Sequence, residues 1–349
     1  MKNLLIITRE VNVEDDLLGF FVEWIREFAK HFDRVFVIAL AKGNYQLPGN
    51  VSVYSLGKEK GNSKIAMAFN FYKYLFRLAP KSSGIFAHTS ATYVIASWPA
   101  TLIFRKKIIL WYLHRSINIK LKIAEKLCYK IVTAVKESLV GFESKKIIET
   151  GHGINVEEFK TERNWTDNVV KILSVGRISK IKDYETLLRA VKVLKDKGIN
   201  LSVEIVGRPI MPPDFLYFEF LKSLKEEFGL GDVVRFVGFV PHNKIADYYK
   251  KSDIVVGMTP RGGIDKSLLE AMASGALILT SNEEMGRYLG EYNKELIFDY
   301  GKPANLAEKL IRVINWSSLQ KNEASNFLLD SVKKFHNLKN LIEKIIKLY

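Results

Sequence analysis

Cysteine is almost absent from this chain, and the one thiol, Cys128, excludes a disulfide framework and a cysteine-based zinc site. None of the six histidines stands four residues from another, which argues against a zinc enzyme of the His-x-x-x-His type. The start of the chain shows no secretory leader, because the apolar run at residues 4–8 is too short and charged residues follow it. We therefore expect a cytoplasmic protein.

Long hydrophobic runs are also scarce. The longest stretch without a formal charge, residues 82–104, has the length of a membrane helix, but it contains His88, Pro99 and several hydroxyl residues. We interpret it as a strand at residues 85–88 followed by a buried helix. A single membrane span is the alternative.

Negative charge is in short supply. The 349 residues carry 53 Lys and Arg against 38 Asp and Glu, a formal net charge of +15, and 48% of them are apolar, which indicates a globular protein of about two domains. Residues 1–157 account for 23 − 13 = +10 of this charge and residues 158–349 for 30 − 25 = +5. The asymmetry predicts an anionic partner for the first half.

Short apolar runs alternate with amphipathic helical segments along the whole chain, a pattern typical of parallel sheets covered by helices. The runs predicted as strands are residues 4–8, 35–40, 51–54, 85–88, 108–113, 131–134, 147–150, 169–175, 201–207, 234–238, 254–257, 276–280 and 295–298. Two consecutive series of this kind predict an α/β fold with two doubly wound, Rossmann-like domains. Ligands of such domains bind beyond the carboxyl ends of the strands, so we expect a site in a cleft between them.

The polar, glycine-containing stretch at residues 151–166 predicts the domain boundary. We assign residues 1–157 to the first domain and residues 158–327 to the second. Residues 328–349 have helical periodicity and form a terminal helix that could pack back on the first domain.

A first group of candidate residues follows the strand that ends at Val175. Gly176 allows a tight turn or a close approach to a ligand, and Arg177 and Lys182 follow it before the next helix. A guanidinium and an ammonium group at a strand end suit a diphosphate. A solvated loop rich in basic residues is the alternative.

A second group lies where a glycine-containing loop meets a helix that starts near Ser267. The backbone N–H groups of Ser267 and Leu268 and the helix dipole would favour an anion there. Glu270, placed in the first helical turn, would either accept hydrogen bonds from ligand hydroxyls, as carboxylates do with a ribose, or simply complement the dipole. Gly275 would end the helix.

With these residues the chain resembles the retaining glycosyltransferases of the GT-B fold that are often called family 4 or group 1. The resemblance covers nearly all of residues 150–300 and is looser before them. It is carried above all by Ser-Leu-Leu-Glu-Ala-Met-Ala-Ser-Gly at residues 267–275, and also by residues 151–159, 174–182, 203–207, 234–241 and 252–256.

The resemblance implies a role for each matching residue. Gly176, Arg177 and Lys182 would bind the diphosphate of a nucleotide-diphosphate sugar, with the backbone of Ser267 and Leu268 holding phosphate and Glu270 holding the ribose. It also implies an acceptor-side first domain and a donor-side second domain.

One departure from the family concerns its paired glutamates. Counting back from Glu270, the first glutamate would stand at position 262, where this chain has Gly262. Three interpretations are open: Asp265 replaces it as a catalytic residue, the loop uses its backbone alone, or the site is weakened. Asp265 could equally be a helix N-cap.

The first domain offers two further candidates. The resemblance places a histidine near the donor sugar at the end of a strand, which matches His114 as a catalytic residue, and a glycine near phosphate and acceptor, which matches Gly19. A structural histidine at a strand end is the alternative for His114. The match at Gly19 is partial, because only one glycine stands in that acidic loop.

The chain contains no Asp-x-Asp triplet, which fits the metal-independent chemistry that the resemblance implies. Basic side chains and a helix start would stabilise the leaving diphosphate, and no carboxylate pair supports a double displacement, so we expect a front-face transfer with retention. The sequence predicts a hexosyltransferase without a cofactor. A non-catalytic nucleotide-sugar-binding protein and an epimerase or hydrolase on this fold are the alternatives; a nucleic-acid binder ranks last, for want of a recognised motif.

Two basic amphipathic segments, residues 64–81 and 116–130, together with the basic turn at residues 105–107, could rest on an anionic membrane. Ordinary core-facing helices with a solvated lysine side are the alternative. We expect a glycan or lipid-linked acceptor, and a protein of the cytoplasm that contacts the inner side of the membrane if this interpretation holds.

Overall fold

The computed structural model describes residues 2–114, 117–165, 168–260 and 263–349. They form two compact units. The first contains the chain up to Gly153 together with Pro241–Asn243 and His336–Tyr349, and the second contains Ile154–Val240 and Lys244–Phe335. The two-domain division lies near the expected boundary, four residues earlier, and the chain's last segment is split between the units.

In the described part of unit 1, the strands form a seven-stranded parallel sheet in the order β3-β2-β1-β4-β5-β6-β7. The strands are β1 Asn3–Val11, β2 Arg34–Lys42, β3 Val51–Ser55, β4 Gly84–His88, β5 Lys107–Trp111, β6 Lys130–Thr133 and β7 Ile147–Glu149. The helices are α1 Phe21–Ala29, α2 Lys64–Leu78, α3 Ala91–Ile103, α4 Ile119–Leu127 and α14 Leu338–Ile346. Residues 4–7 of β1 are all fully buried, as expected for a strand covered by helices on both sides.

In the described part of unit 2, a five-stranded parallel sheet has the order β10-β9-β8-β11-β12. The strands are β8 Val170–Val175, β9 Leu201–Val206, β10 Val234–Gly238, β11 Ile254–Gly257 and β12 Leu277–Thr280. The helices are α5 Val156–Phe159, α6 Tyr184–Asp196, α7 Pro212–Glu227, α8 His242–Lys251, α9 Lys266–Ala273, α10 Gly286–Leu289, α11 Asn293–Leu296, α12 Pro303–Ile314 and α13 Ser318–Phe335, and the first two residues of α8 are grouped with unit 1. Both units are thus Rossmann-like, and the α/β prediction is confirmed.

Two predicted elements differ from the structure. Residues 295–298 are not a strand: α11 ends at Leu296, and only Ile297 forms a bridge, with Thr280. The single terminal helix predicted at residues 328–349 is two helices, because Asn337 caps α14 through a hydrogen bond from the backbone N–H of Lys339. The uncharged stretch at residues 82–104 is strand β4 and helix α3, as predicted.

The terminal segment contributes to the core of unit 1. Leu341, Ile342 and Ile345 of α14 are fully buried, and Trp24 of α1 donates a hydrogen bond from Nε1 to the carbonyl oxygen of Gly153 at 3.2 Å. A methyl group on Gly153 would lie 2.7 Å from the Trp24 ring and 3.1 Å from Leu341. The α14 side chains are therefore packed closely against the first unit.

This packing predicts that a substitution in the core side of α14 will destabilise unit 1. Leu341→Ala should lower the unfolding free energy of unit 1 by about 2–5 kcal/mol because it opens a cavity in a buried core. Amide hydrogen exchange should accelerate in β1 to β7 and stay unchanged in β8 to β12. Leu319→Ala, at a position 68% exposed, serves as the control and should alter neither set. Faster exchange confined to β8–β12 would contradict the assignment of α14 to unit 1.

Candidate donor-binding site

The floor of the candidate site is the turn after β8, where two backbone segments touch. The N–H of Gly176 donates to the Val206 carbonyl oxygen at 2.9 Å, and the Tyr184 hydroxyl donates to the Gly176 carbonyl oxygen at 2.8 Å. Gly207 has a φ of +138°, and a Cβ there would lie 2.0 Å from the Gly176 carbonyl oxygen. Only glycine fits at position 207, so the ends of β8 and β9 are held at a fixed separation.

Lys182 projects from the 3-10 turn that follows this glycine turn. Its Nζ lies 2.7 Å from Asp265 Oδ2 and 2.9 Å from Thr259 Oγ1, and its Cε would stand 3.4 Å from a Cβ at Gly176. The structure therefore brings Lys182, Gly176 and Asp265, three residues singled out from two distant stretches of sequence, into one cluster.

Asp265 is the hub of this cluster. Its carboxylate accepts hydrogen bonds from Lys182, from the Thr259 hydroxyl at 2.7 Å and from the Ser267 hydroxyl at 2.9 Å. Burial opposes ionisation of Asp265, but the charge and hydrogen bond of Lys182 and the two hydroxyls outweigh it, so the pKa of Asp265 lies below its ordinary value of 3.8. The carboxylate is charged at neutral pH.

The same contacts show that the Asp265 side chain does not act as a helix N-cap. Asp265 occupies the N-cap position of α9, yet its side chain makes no capping hydrogen bond to the helix backbone. Its backbone carbonyl oxygen instead accepts from the N–H of Leu268 at 3.2 Å. The side chain is committed to Lys182 and the hydroxyl groups.

Ser267 and Leu268 stand at the start of α9, as predicted. The Ser267 hydroxyl faces Asp265, while the Leu268 side chain is buried against Gly257, where a Cβ would lie 2.8 Å from Leu268 Cδ1. The positive end of the helix dipole consequently lies beside the Lys182–Asp265 pair.

Glu270 lies one turn further along α9 and not in its first turn, since the helix begins at Lys266. Its side chain is 6% exposed; Oε1 lies 2.6 Å from Lys266 Nζ, and Oε2 accepts a hydrogen bond from the Tyr249 hydroxyl at 3.0 Å. Burial, followed by the charge of Glu270, raises the pKa of Tyr249 well above 10. Tyr249 is therefore a permanent hydrogen-bond donor that orients the Glu270 carboxylate.

Arg177 is the most exposed of the predicted donor residues. Its side chain is 40% exposed, and Nε lies 3.7 Å from Asp214 Oδ2. Asp214 itself is held at the start of α7, where it accepts from the backbone N–H of Met211 at 3.0 Å. The ion pair with Asp214 is long, so it orients the Arg177 guanidinium group only loosely and leaves it accessible to a ligand.

Arg163 holds the opposite end of α9. Its guanidinium donates to the carbonyl oxygens of Tyr249, Lys250, Ser252 and Ser274 and to the Ser274 hydroxyl. Burial lowers the pKa of Arg163 to about 10, which leaves it charged at neutral pH. Arg163 thereby ties the ends of α8 and α9 together and fixes the helix that carries Asp265 and Glu270.

The remaining predicted residues belong to unit 1 or lie outside the described residues. His114, three residues beyond β5, is exposed and makes an edge-to-face ring contact with Tyr112. Gly19 is buried in the loop between β1 and α1, where a Cβ would lie 2.8 Å from the Val13 carbonyl oxygen. Gly262 falls outside the described residues.

Sequence reasoning missed four side chains that complete the site. Thr259 and Tyr249 contact the carboxylates of Asp265 and Glu270, and Lys266 and Asp214 pair with Glu270 and Arg177. The spacing of Lys266 and Glu270, four residues apart on a helix, could have revealed that pair. Nothing in the local sequence connects Tyr249 with Glu270.

The chain is similar to known proteins in sequence and in fold. Residues 155–327, just under half of the chain, match the family Glycosyl transferases group 1. Unit 2 is similar to the group 1 glycosyltransferases over nearly its whole length. The chain is 29% identical over 161 residues to the amylovoran biosynthesis glycosyltransferase AmsK of Erwinia amylovora, which covers 44% of this chain and 38% of AmsK.

A second relative is the D-inositol 3-phosphate glycosyltransferase of Streptomyces avermitilis, 32% identical over 118 residues, or 32% of this chain and 24% of that protein. The chain thus spans well under half the length of these two curated relatives. Among solved structures, Anabaena HepE in complex with UDP has a TM-score of 0.76 at 17% identity, covering 99% of both chains. Together with the two sheets, this similarity establishes the GT-B fold.

Two kinds of feature are absent from the described residues. No group of three or more His, Cys, Asp or Glu side chains in residues 2–114, 117–165, 168–260 and 263–349 is placed to hold a metal ion. In the same ranges, no helix combines the length and the apolar character needed to cross a bilayer.

The ion pair at the centre of the site predicts a pH-dependent stability. Because the pKa of Asp265 is lowered, its contribution is complete above about pH 5 and is lost as the pH falls below 3.8 through the lowered pKa. Asp265→Asn should reduce the unfolding free energy of unit 2 by about 3 kcal/mol at pH 7, since it leaves Lys182 charged and unpaired. This difference should shrink in urea titrations at progressively lower pH.

The matched control is Asp232→Asn, which breaks the ion pair of Asp232 with Lys195 at the protein surface. Asp232→Asn should change the unfolding free energy little at pH 7 or at lower pH, because exposed ion pairs contribute little to stability. A loss for Asp265→Asn that is independent of pH would contradict the assigned charge state.

Proposed function

We propose that the protein is a glycosyltransferase of hexosyltransferase type that moves a sugar from a nucleotide-diphosphate sugar to a glycan or lipid-linked acceptor. The observation that carries this proposal is the cluster of Lys182, Asp265, Thr259 and Ser267 beside the glycine turn at Gly176. A lysine held at a strand end, next to a helix start, is suited to a diphosphate.

In this proposal the donor diphosphate competes with Asp265 for Lys182. Without donor, one carboxylate neutralises the ammonium group; the two phosphates of a donor carry more negative charge and also interact with Arg177 and the start of α9 at Ser267 and Leu268. Lys182 is then a preorganised cation whose resting partner keeps it in place. Ser267 and Thr259 retain Asp265 when Lys182 turns away.

Glu270 is proposed to bind the donor ribose. Tyr249 and Lys266 each occupy one oxygen, but a carboxylate oxygen accepts more than one hydrogen bond, so ribose hydroxyls can still donate to it. The two partners fix the orientation of the carboxylate. This is what a specific hydroxyl contact requires.

The chemical step proposed is a front-face transfer with retention of configuration. The bond between the anomeric carbon and the leaving phosphate oxygen breaks, the acceptor oxygen bonds to that carbon on the same side, and the acceptor proton passes to the leaving phosphate. Lys182 and Arg177 stabilise the charge that develops on the phosphate. We propose that no metal and no cofactor takes part, and that Asp265 and the unit 1 residue His114 serve the sugar, with Gly19 near the acceptor.

The acceptor class rests on the relatives' names and on charge. One relative, the glycosyltransferase CapM of Staphylococcus aureus, 27% identical over 225 residues, is named for capsular polysaccharide biosynthesis, which favours a growing glycan as acceptor. The basic excess of residues 1–157 favours a lipid-linked form of it and a location in the cytoplasm at the inner side of the membrane. No nucleic acid is proposed as a partner.

A second candidate function is nucleotide-sugar binding without turnover. It is favoured by one observation: position 262, where the family's first glutamate stands, is Gly262, and the carboxylate that follows it first in the sequence, Asp265, is already paired with Lys182. The two candidates share the donor site and differ in whether diphosphate is released.

The test is a panel of UDP-, GDP- and ADP-sugars measured by calorimetry and by diphosphate release. One nucleotide should bind, and the double variant Arg177→Ala/Lys182→Ala should lose at least about a hundredfold in affinity, because two charge-assisted contacts disappear. Lys180→Ala, which removes an exposed lysine from the same turn, should bind like the unaltered protein.

The outcomes separate the candidates. Diphosphate release that depends on a glycan acceptor supports the transferase. Binding without release on any acceptor supports the second candidate, and an equal loss of binding in Lys180→Ala would contradict the assigned site.

A further inference from the structure

Three helices of unit 1 lie on the same side of its sheet. Leu75 of α2, Val94 of α3 and Leu121 of α4 belong to one buried cluster with Ile7 of β1 and Ile108 of β5. The opposite sides of these helices point away from the sheet. We call these outward sides the basic-apolar surface.

The charge of this region is almost entirely of one sign. Residues 64–130 contain twelve Lys and Arg residues and one acidic residue, Glu125. Of the eleven basic residues that lie in the described part of this region, none forms an ion pair with a described carboxylate, and most are exposed. Such a surface attracts a polyanionic partner.

Large apolar side chains stand among these charges. On α2, Ile65, Phe69, Tyr72 and Phe76 are 83%, 70%, 41% and 38% exposed. Their spacing of four, three and four residues places them in one stripe along the helix. The core side of α2 is a different set that includes Phe71, so this helix has a second apolar side that the fold does not bury.

The neighbouring helices continue the pattern. Leu102 and Ile103 at the end of α3 are 64% and 62% exposed, and Ile119 and Ile123 of α4 are 68% and 41% exposed. Phe76 and Phe104 are in edge-to-face ring contact, which links the α2 stripe to the end of α3. The exposed apolar groups thus extend over three adjacent helices. They form a larger apolar area than the single, scattered apolar side chains that are normal on a protein surface.

We propose that the basic-apolar surface binds the anionic surface of a lipid bilayer, with its apolar side chains entering the boundary between headgroups and acyl chains. A bilayer offers both things this surface lacks: negative charge for the lysines and an apolar layer for the stripe. The proposal rests on the membrane location given under the proposed function and deepens it by naming the surface that makes the contact, whereas vesicle binding itself requires no donor sugar.

Two other occupants fit less well. A second copy of the chain meeting the same surface would bring two strongly positive regions together, which repels. A nucleic acid would satisfy the lysines, but its phosphate backbone offers nothing to Ile65, Phe69, Leu102 and Ile103. The bilayer is the partner that matches charge and apolar groups together.

The experiment is sedimentation of the full chain with vesicles of phosphatidylcholine containing about 30% phosphatidylglycerol, compared with pure phosphatidylcholine. The protein should bind the anionic vesicles and bind the neutral ones at least about tenfold more weakly. Lys120→Gln/Lys122→Gln/Lys126→Gln should reduce binding to anionic vesicles by about tenfold or more. Ile65→Ser/Phe69→Ser should also weaken binding, and more so at high salt, where only apolar contacts remain.

Matched controls remove the same kinds of group from unit 2. Phe215→Ser/Leu216→Ser takes away side chains that are 53% and 77% exposed on α7, and Lys197→Gln/Lys251→Gln/Lys302→Gln removes three exposed lysines. Both control variants should bind vesicles like the unaltered protein. All variants should keep the same unfolding temperature, since every altered side chain is exposed.

Four outcomes would overturn the proposal. The first two are no binding to anionic vesicles at low salt and equal binding to neutral and anionic vesicles. The third is a loss of vesicle binding in the unit 2 controls as large as in the unit 1 variants. The fourth is displacement of the protein from the vesicles by a DNA duplex that the Ile65→Ser/Phe69→Ser variant binds normally. Donor binding should also be measured on the Lys120→Gln/Lys122→Gln/Lys126→Gln variant. Its affinity for the donor should be unchanged whether or not the variant binds vesicles, which keeps the two proposals separate.

Discussion

The arrangement of unit 2 depends on a nearly buried ion pair between Lys182 and Asp265. A cation and an anion taken out of water are stable only together, so each holds the other in place at the meeting point of β8, β11 and α9. Thr259 and Ser267 supply the hydrogen bonds that complete the carboxylate shell. A site of this kind is preorganised to receive a polyanion, since a more highly charged ligand can take the lysine over.

The rest of the unit serves this pair. Gly176 and Gly207 allow the turn after β8 to approach β9, which aims Lys182 at the start of α9. Arg163 binds the carbonyl oxygens at the far end of that helix, so α9 cannot slide relative to α8. Tyr249 and Lys266 then orient Glu270 one turn along. The backbone turns and the buried polar contacts therefore both position side chains around the Lys182–Asp265 pair at the start of α9.

Local pattern was sufficient for the fold and for the positions of several candidate residues at strand and helix ends. Strand ends, glycine turns and the helix start place Gly176, Lys182 and Ser267, because such features depend on neighbours in sequence. The partners of Asp265 and Glu270 could not be predicted, since Lys182 and Tyr249 reach them across 83 and 21 residues and only the packing of the sheet decides which side chains meet. The strand predicted at residues 295–298 is absent because helix α11 continues to Leu296, which leaves only Ile297 to form a bridge with Thr280 on the edge strand β12.

The central claim is that the donor diphosphate takes Lys182 away from Asp265. It is tested most directly by following the Asp265 carboxyl carbon by NMR through a pH titration, with and without the nucleoside diphosphate that binds, using Asp265→Asn to assign the signal. The account predicts that the pKa of Asp265, held low by Lys182, rises when the diphosphate binds, because the lysine is shared and a second anion stands nearby. An unchanged pKa in the saturated complex would contradict it.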